Sequence, residues 1–138
     1  MFDGCLYFNT AALSRMLERV WTQAFNPFGL SPPQAFLLRA VIAQPGQLQR
    51  ELADAMTITR PTATRLLDGL QQRKLIERRS SGNDGRELEI HPTAAALAIA
   101  NDLNRASAAV TRRLQKTLGE RRFGDVVAEM RQVRKMLG

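Results

Sequence analysis

Apolar residues recur every three or four positions through most of the chain, interrupted by short runs of helix breakers. From Ala12 to Phe25, the residues Leu13, Met16, Leu17, Val20, Trp21 and Ala24 fall on one face and predict an amphipathic helix. "NPFGLSPP" interrupts it, and Ser31 ahead of Pro32 reads as a cap with proline in the first turn. The second helix so opened runs through Phe36, Leu37, Val41 and Ile42 and stops at "QPG". "QLQRELADAM" then sets Leu48, Leu52, Ala55 and Met56 on one side of a third helix of about three turns. Thr59 is placed to cap a fourth, with Ala63, Leu66, Leu67 and Leu70 inward and Arg60, Thr62, Arg65 and Gln72 outward or flanking.

After "QQRK" the period changes to two. Ile76, Leu88 and Ile90 alternate with charged residues on either side of the turn-rich "SSGNDG", which predicts a two-stranded hairpin with a basic tip. The register expected sets Arg79 across from Glu87 and Ile76 across from Ile90, and it brings Glu77 near Glu89. Helix propensity is then high from Ala94 to about Leu118, roughly 37 Å. The last stretch carries Phe123, Val126, Val127, Met130, Val133 and Leu137 on one stripe. Helices at both chain ends therefore have apolar faces that need covering.

Two short helices joined by a tight turn, the second polar and arginine-bearing outside, followed at once by a hairpin, describe a winged helix-turn-helix. The fold expected is mainly α with a small β-hairpin wing, the terminal helices forming a dimerisation region. A helix built only for stability would start with acidic residues, because its amides and dipole favour negative charge. "TRPTATRLLDG" starts with arginine and leaves the anion to come from outside. Thr62, Thr64 and Arg65 can meet base edges in a major groove, Arg60 a phosphate or a base, and Thr59 lies at the same helix start. Arg78 and Arg79 on the wing join this DNA-binding set.

Charge supports an anionic partner. The 138-residue chain carries +7 with a pI near 11.0, which makes nucleic acid the first candidate. Residues 48–92 hold eight basic and seven acidic side chains, against nine and four in 93–138. DNA contact through the middle therefore depends on segregating its arginines in space. The length fits one domain. No signal peptide or membrane span is visible and Cys5 is the sole cysteine, so a cytoplasmic protein without a disulfide framework, and without membrane association, is expected. His91 is the single histidine and no phosphate loop or nucleophile motif occurs, so no enzyme activity, cofactor or metal site is expected.

"LQRELADAMTITRPTATRLLDGLQQRKLIER" resembles the helix-turn-helix of the MarR family of winged-helix transcription regulators, and "RRSSGNDGRELEIHPT" resembles its wing. Asp84 and Arg86 match the family's Asp-x-Arg motif, and Thr93 the threonine leading into the long helix. The resemblance runs over almost the whole chain. It implies that Arg86 reaches into a minor groove and that Asp84 holds it or the wing tip. It departs from the family where glycine is usual and this chain has Thr57, Lys74 and Ala96, the first two at turns that favour a positive φ.

The domain organisation expected is a single domain, 1–138, with a DNA-binding lobe at 30–92 and a dimerisation region formed by 5–29 and 93–138. Family members are dimers built from their terminal helices, which the two uncovered stripes suggest independently. Met16, Val20, Val110, Leu114, Val126 and Met130 are the interface or adjoining-core candidates. A homodimer implies a near-palindromic operator in double-stranded DNA. Two sensing modes follow from the resemblance. Cys5, beside Tyr7, lies where a branch of the family senses peroxide. A small-molecule effector would instead enter a pocket lined by Trp21, Phe25, Phe28, Phe36 and Arg39, aromatics that core packing explains equally well. The function expected is a homodimeric, sequence-specific repressor released by a ligand or by Cys5 oxidation. The alternatives are a sequence-tolerant architectural DNA-binding protein and a dimeric interaction module without DNA recognition.

Overall fold

The computed structural model describes the backbone at residues 1–82 and 84–138 and the side chains outside 83–86. Helix α1 (Leu6–Phe25) begins six residues earlier than its apolar stripe and leads through a 3-10 turn (Asn26–Phe28) to α2 (Pro32–Ala43). A short strand β1 (Gln47–Leu48) precedes α3 (Gln49–Met56) and α4 (Arg60–Gln72). Strands β2 (Ile76–Ser81) and β3 (Asp84–Pro92) follow, then α5 (Ala94–Leu118) and α6 (Glu120–Leu137).

The expected caps form. Ser31 Oγ accepts from Gln34 N at 3.3 Å while Gln34 Oε1 accepts from Ser31 N at 3.0 Å, a reciprocal pair that satisfies two end amides of α2. Thr59 Oγ1 accepts from Thr62 N at 3.3 Å at the head of α4. Thr93 Oγ1 accepts from Ala96 N at 3.3 Å and donates to Lys74 O at 2.7 Å, so one hydroxyl starts α5 and fastens it to the end of α4.

The turns after α3 and α4 answer the question raised by the missing glycines. Thr57 and Lys74 both adopt left-handed backbone, at φ of 56° and 60°. Ile58 N donates to Ala53 O and Leu75 N to Leu70 O, each at 3.0 Å. This is the six-residue bond that normally closes a helix around glycine.

The sheet corrects two expectations. Its order is β1-β3-β2, and Gln47 pairs with Ile90. A two-residue strand is too short to show a period, so β1 is absent from the pattern. In the hairpin Arg79 faces Glu89 rather than Glu87, and Ile76 faces Pro92 rather than Ile90. The register is displaced by two residues, which sets Glu77 opposite His91 and removes the expected Glu77–Glu89 clash. In α3, Ala53 is buried and Ala55 exposed, so its inward face is rotated from the expected stripe.

One core joins the lobes. Phe25, Leu37, Leu38, Val41, Leu52, Leu67, Leu70, Ile90 and Leu103 are fully buried, drawing on α1, α2, α3, α4, β3 and α5. Burial at this density makes the helix-turn-helix a rigid support rather than a flexible arm.

Candidate nucleic-acid interface

The start of α4 is built around Thr59 and Pro61. Pro61 has no amide, Thr62 N–H is taken by Thr59 Oγ1, and Ala63 N–H bonds Thr59 O at 3.0 Å. Among the described residues this leaves the Arg60 N–H as the one open amide of the first turn. No acidic residue lies in that turn. The Arg60 and Arg65 side chains are exposed and have no hydrogen-bond or ion-pair partner among the described residues.

The other candidates are more constrained. Thr62 Oγ1 accepts from Thr59 Oγ1 at 2.9 Å. Thr64 Oγ1 donates to Arg60 O at 3.0 Å and accepts from Gln49 Nε2, so its proton is committed. Arg78 is held by Asp68 at 2.9 Å and by Gln71 Oε1, with only 14% of its side chain exposed. It braces the wing against α4. Arg79 is exposed and paired with Glu77 at 3.0 Å. Asp84 and Arg86 open β3, but their side chains lie outside the described residues.

Sequence reasoning missed Gln49 and Arg50. Arg50 Nη1 bonds Glu87 Oε1 at 2.6 Å, tying α3 to the wing. With Leu48, Gln49, Arg60 and Leu88 they line a crevice of about 290 Å³ between the head of α4 and the base of the wing. The only prior signal was a basic residue in the helix-turn-helix stretch, and its partner sits 37 positions away.

A second concavity of about 440 Å³ lies between α2 and α5, lined by Phe36, Arg39, Ala40, Ile42, Met56 and Asn104 among others. Arg39 donates to Asn104 Oδ1 at 3.0 Å and Ser107 Oγ at 2.9 Å, and stands 5.2 Å over the Phe36 ring. Burial lowers its pKa by disfavouring the charged form. Of the five proposed pocket residues the structure brings Phe36 and Arg39 to this cleft. Phe25 is wholly enclosed, Trp21 packs on both phenylalanines at 5.7 and 5.2 Å, and Phe28 is half-buried against the core. Cys5 is exposed at the N-terminus of α1, two residues before an exposed Tyr7.

Met16, Val126 and Met130 are exposed, as are Leu6, Leu13, Val127 and Leu137. Val20 and Leu114 are half-buried. Val110, at 7% exposure, belongs to the core of the single chain. Among the described residues no cluster of three metal-ligating side chains occurs, and no helix is long and apolar enough to cross a membrane.

A polar, arginine-bearing helix presented beside a two-stranded wing defines a winged helix-turn-helix DNA-binding protein. A family model described as MarR family matches residues 28–87. The fold is similar to that of the S. aureus MepR–DNA complex, at 22% identity over 96% of this chain and 98% of that one, with a TM-score of 0.85. It is likewise similar to the transcriptional repressor CouR bound to a 23-mer DNA duplex, at 25% identity, 96% and 94% coverage and a TM-score of 0.84. The reduced form of MarR from E. coli matches at 19% identity, 93% and 95% coverage and a TM-score of 0.76. No curated protein matches the chain. Residues 28–87, the helix-turn-helix and most of the wing, thus carry the match to the MarR family, and the whole fold is shared with solved regulators of that type.

Proposed function

We propose that the protein is a homodimeric repressor that reads a near-palindromic operator with α4 and the wing of each protomer. The observation that carries this reading is the pair of unpartnered guanidinium groups, Arg60 and Arg65, beside the single open amide at the head of α4. An arginine without a protein partner at a helix N-terminus is placed for phosphate or for a guanine edge. In this reading Arg60 and the Arg60 amide hold a phosphate, while Arg65 and Thr62 face bases. Thr64 contributes as an acceptor or through its methyl group, Thr59 orders the helix start, Arg79 lies along the wing, and Arg86 enters the minor groove with Asp84 holding it or the wing tip. Arg78 acts indirectly, through the wing's attachment to α4.

Residues 30–92 form the DNA-reading lobe, and 5–29 with 93–138 the dimerisation region. The exposed apolar faces of α1 and α6 support self-association through Met16, Val126 and Met130. A two-fold axis between protomers places half-sites about 34 Å apart, one turn of duplex. Release follows from a change in the separation of the two recognition helices. The α2–α5 cleft favours a small ligand as its cause, because Arg39 offers a desolvated cation beside an aromatic ring where the lobe meets the long helix. An effector acts there only to the extent that it binds one spacing better than the other.

Selection from random duplexes with reduced protein tests the reading. An enriched two-fold-symmetric motif is expected. Binding that follows salt concentration alone, without a motif, would replace it with the architectural role. Repeating the selection after peroxide separates the two release modes: loss of binding that Cys5→Ser prevents assigns release to the thiol and refutes the ligand cleft as the sole trigger.

A further inference from the structure

The C-terminal end of α4 carries a second arginine site, at the opposite end of the helix from Arg60. Arg73 caps the helix, and its guanidinium reaches back across 44 positions to the turn between α1 and α2, where Nη2 donates to Phe28 O at 2.8 Å and Nη1 donates to Gly29 O. Those two carbonyls end the 3-10 turn, where backbone acceptors have no partner within the turn itself. A planar fork satisfies two adjacent acceptors at once, which the single ammonium of lysine cannot reproduce.

Gly29 provides a second, independent observation. It adopts φ of 66°, and a Cβ built there would stand 2.8 Å from Arg73 Nη2 and 3.0 Å from Nη1. The guanidinium occupies the space that any other residue's side chain would fill. Meanwhile the neighbouring Lys74 O accepts from Thr93 Oγ1 at 2.7 Å. The end of α4 is thus fastened on one side to the α1–α2 junction and on the other to the head of α5. Both attachments join the recognition helix to the helices of the dimerisation region.

We infer that Arg73 is a positioning residue for operator binding: it fixes the angle of the recognition helix against the α1–α2 turn without touching DNA. This rests on the DNA-binding reading above. It differs from a contact role in a measurable way. A phosphate-contacting arginine contributes about one unit to the slope of log affinity against log salt concentration, and its removal lowers the slope by that amount. A residue acting through helix position changes affinity and leaves the slope where it was. Substitutions that touch neither ligand shift coupled binding by about 2- to 30-fold.

The test measures operator affinity at several salt concentrations for wild type, Arg73→Ala, Arg73→Lys and Arg60→Ala, using a duplex enriched by wild type. Arg73→Ala is expected to bind about 2- to 30-fold more weakly with an unchanged slope, whereas Arg60→Ala loses about one unit of slope. Arg73→Lys keeps the charge but loses the fork, so it should behave as Arg73→Ala does. It also guards against misfolding as the explanation, since thermal unfolding of both variants is followed in parallel. Unchanged affinity in both Arg73 variants, a slope reduced by one, or full rescue by lysine each overturns the inference. Failure of wild type to enrich any duplex instead overturns the DNA-binding reading on which it stands.

Discussion

Replacing Lys74 by glycine should stabilise the protein, although it removes a side chain and a charge. Lys74 sits at φ of 60° with its side chain exposed, and only its backbone is engaged: N–H to Gln71 O at 2.9 Å and C=O from Thr93. Left-handed backbone costs a residue bearing Cβ roughly 1–2 kcal/mol. Glycine escapes that cost but loses about 0.5–1 kcal/mol more in conformational freedom on folding, so the net gain is about 0.5–1 kcal/mol. For a domain of this size that raises Tm by about 2–3 °C. Lys74→Ala is the control, because it removes the same charge and keeps the Cβ. The assay is thermal unfolding by circular dichroism at one fixed protomer concentration, since association contributes to apparent stability. Thr57→Gly relieves the same strain at φ of 56° but forfeits the hydrogen bond from Arg134 Nη2 to Thr57 Oγ1 at 3.1 Å, so it should gain less. A Lys74→Gly protein no more stable than Lys74→Ala would refute the claim that this turn holds strain.

Three further outcomes are expected. Arg65→Ala should weaken operator binding by about 1–3 kcal/mol and relax base preference at one position per half-site, whereas Arg78→Ala should leave the salt slope unchanged because Asp68 and Gln71 already hold that guanidinium; competition binding with single-base operator variants distinguishes them. Met130→Asp places a charge on the exposed face of α6 and should shift sedimentation equilibrium towards monomer, and an unchanged mass would remove α6 from the interface. Arg60→Glu should raise Tm in the absence of DNA by improving the dipole at the head of α4, while abolishing operator binding; a lower Tm would contradict that electrostatic account.

The helices and their caps were legible because a period near 3.6 and a capping hydroxyl are local signals. Ser31, Thr59 and Thr93 each act within three residues of their own position. The hairpin was legible as an element but not in register. Strand alternation has a period of two, so displacing the pairing by two residues keeps the same side chains on the same face. Apolar pattern cannot choose between Glu87 and Glu89 as the partner of Arg79. The site was legible where one helix face carries it, as with Arg60, Thr62 and Arg65. The ties of Arg50 to Glu87, Arg39 to Ser107 and Arg73 to Gly29 span 37, 68 and 44 positions, and nothing local announces them. The same limit let Arg78 pass for a free wing cation.

Arginines in this chain divide by whether the fold already supplies their counter-charge or acceptor. Arg39, Arg50, Arg73 and Arg78 are each held by carbonyls, carboxylates or amides of another element, and they join elements together. Arg60 and Arg65 are not, and Arg60 opens a helix whose first turn has no acid to offset it. The chain uses acids at helix starts elsewhere: Glu51 in α3 accepts from Leu48 N at 3.0 Å, and Glu120 opens α6. In α3 and α6 these acids accompany first-turn arginines, while α1, α2 and α5 carry no charge there, so among the described helices α4 is the one whose first turn holds a cation without an acid beside it. A cation against a helix N-terminus is unfavourable by about 0.3–1 kcal/mol. A phosphate seated between the Arg60 guanidinium and the Arg60 amide would reverse the sign of both interactions. The near-neutral balance of residues 48–92 is then no obstacle to DNA binding, because among the described residues Arg50, Arg73 and Arg78 are taken up as braces while Arg60 and Arg65 are left unpaired on α4.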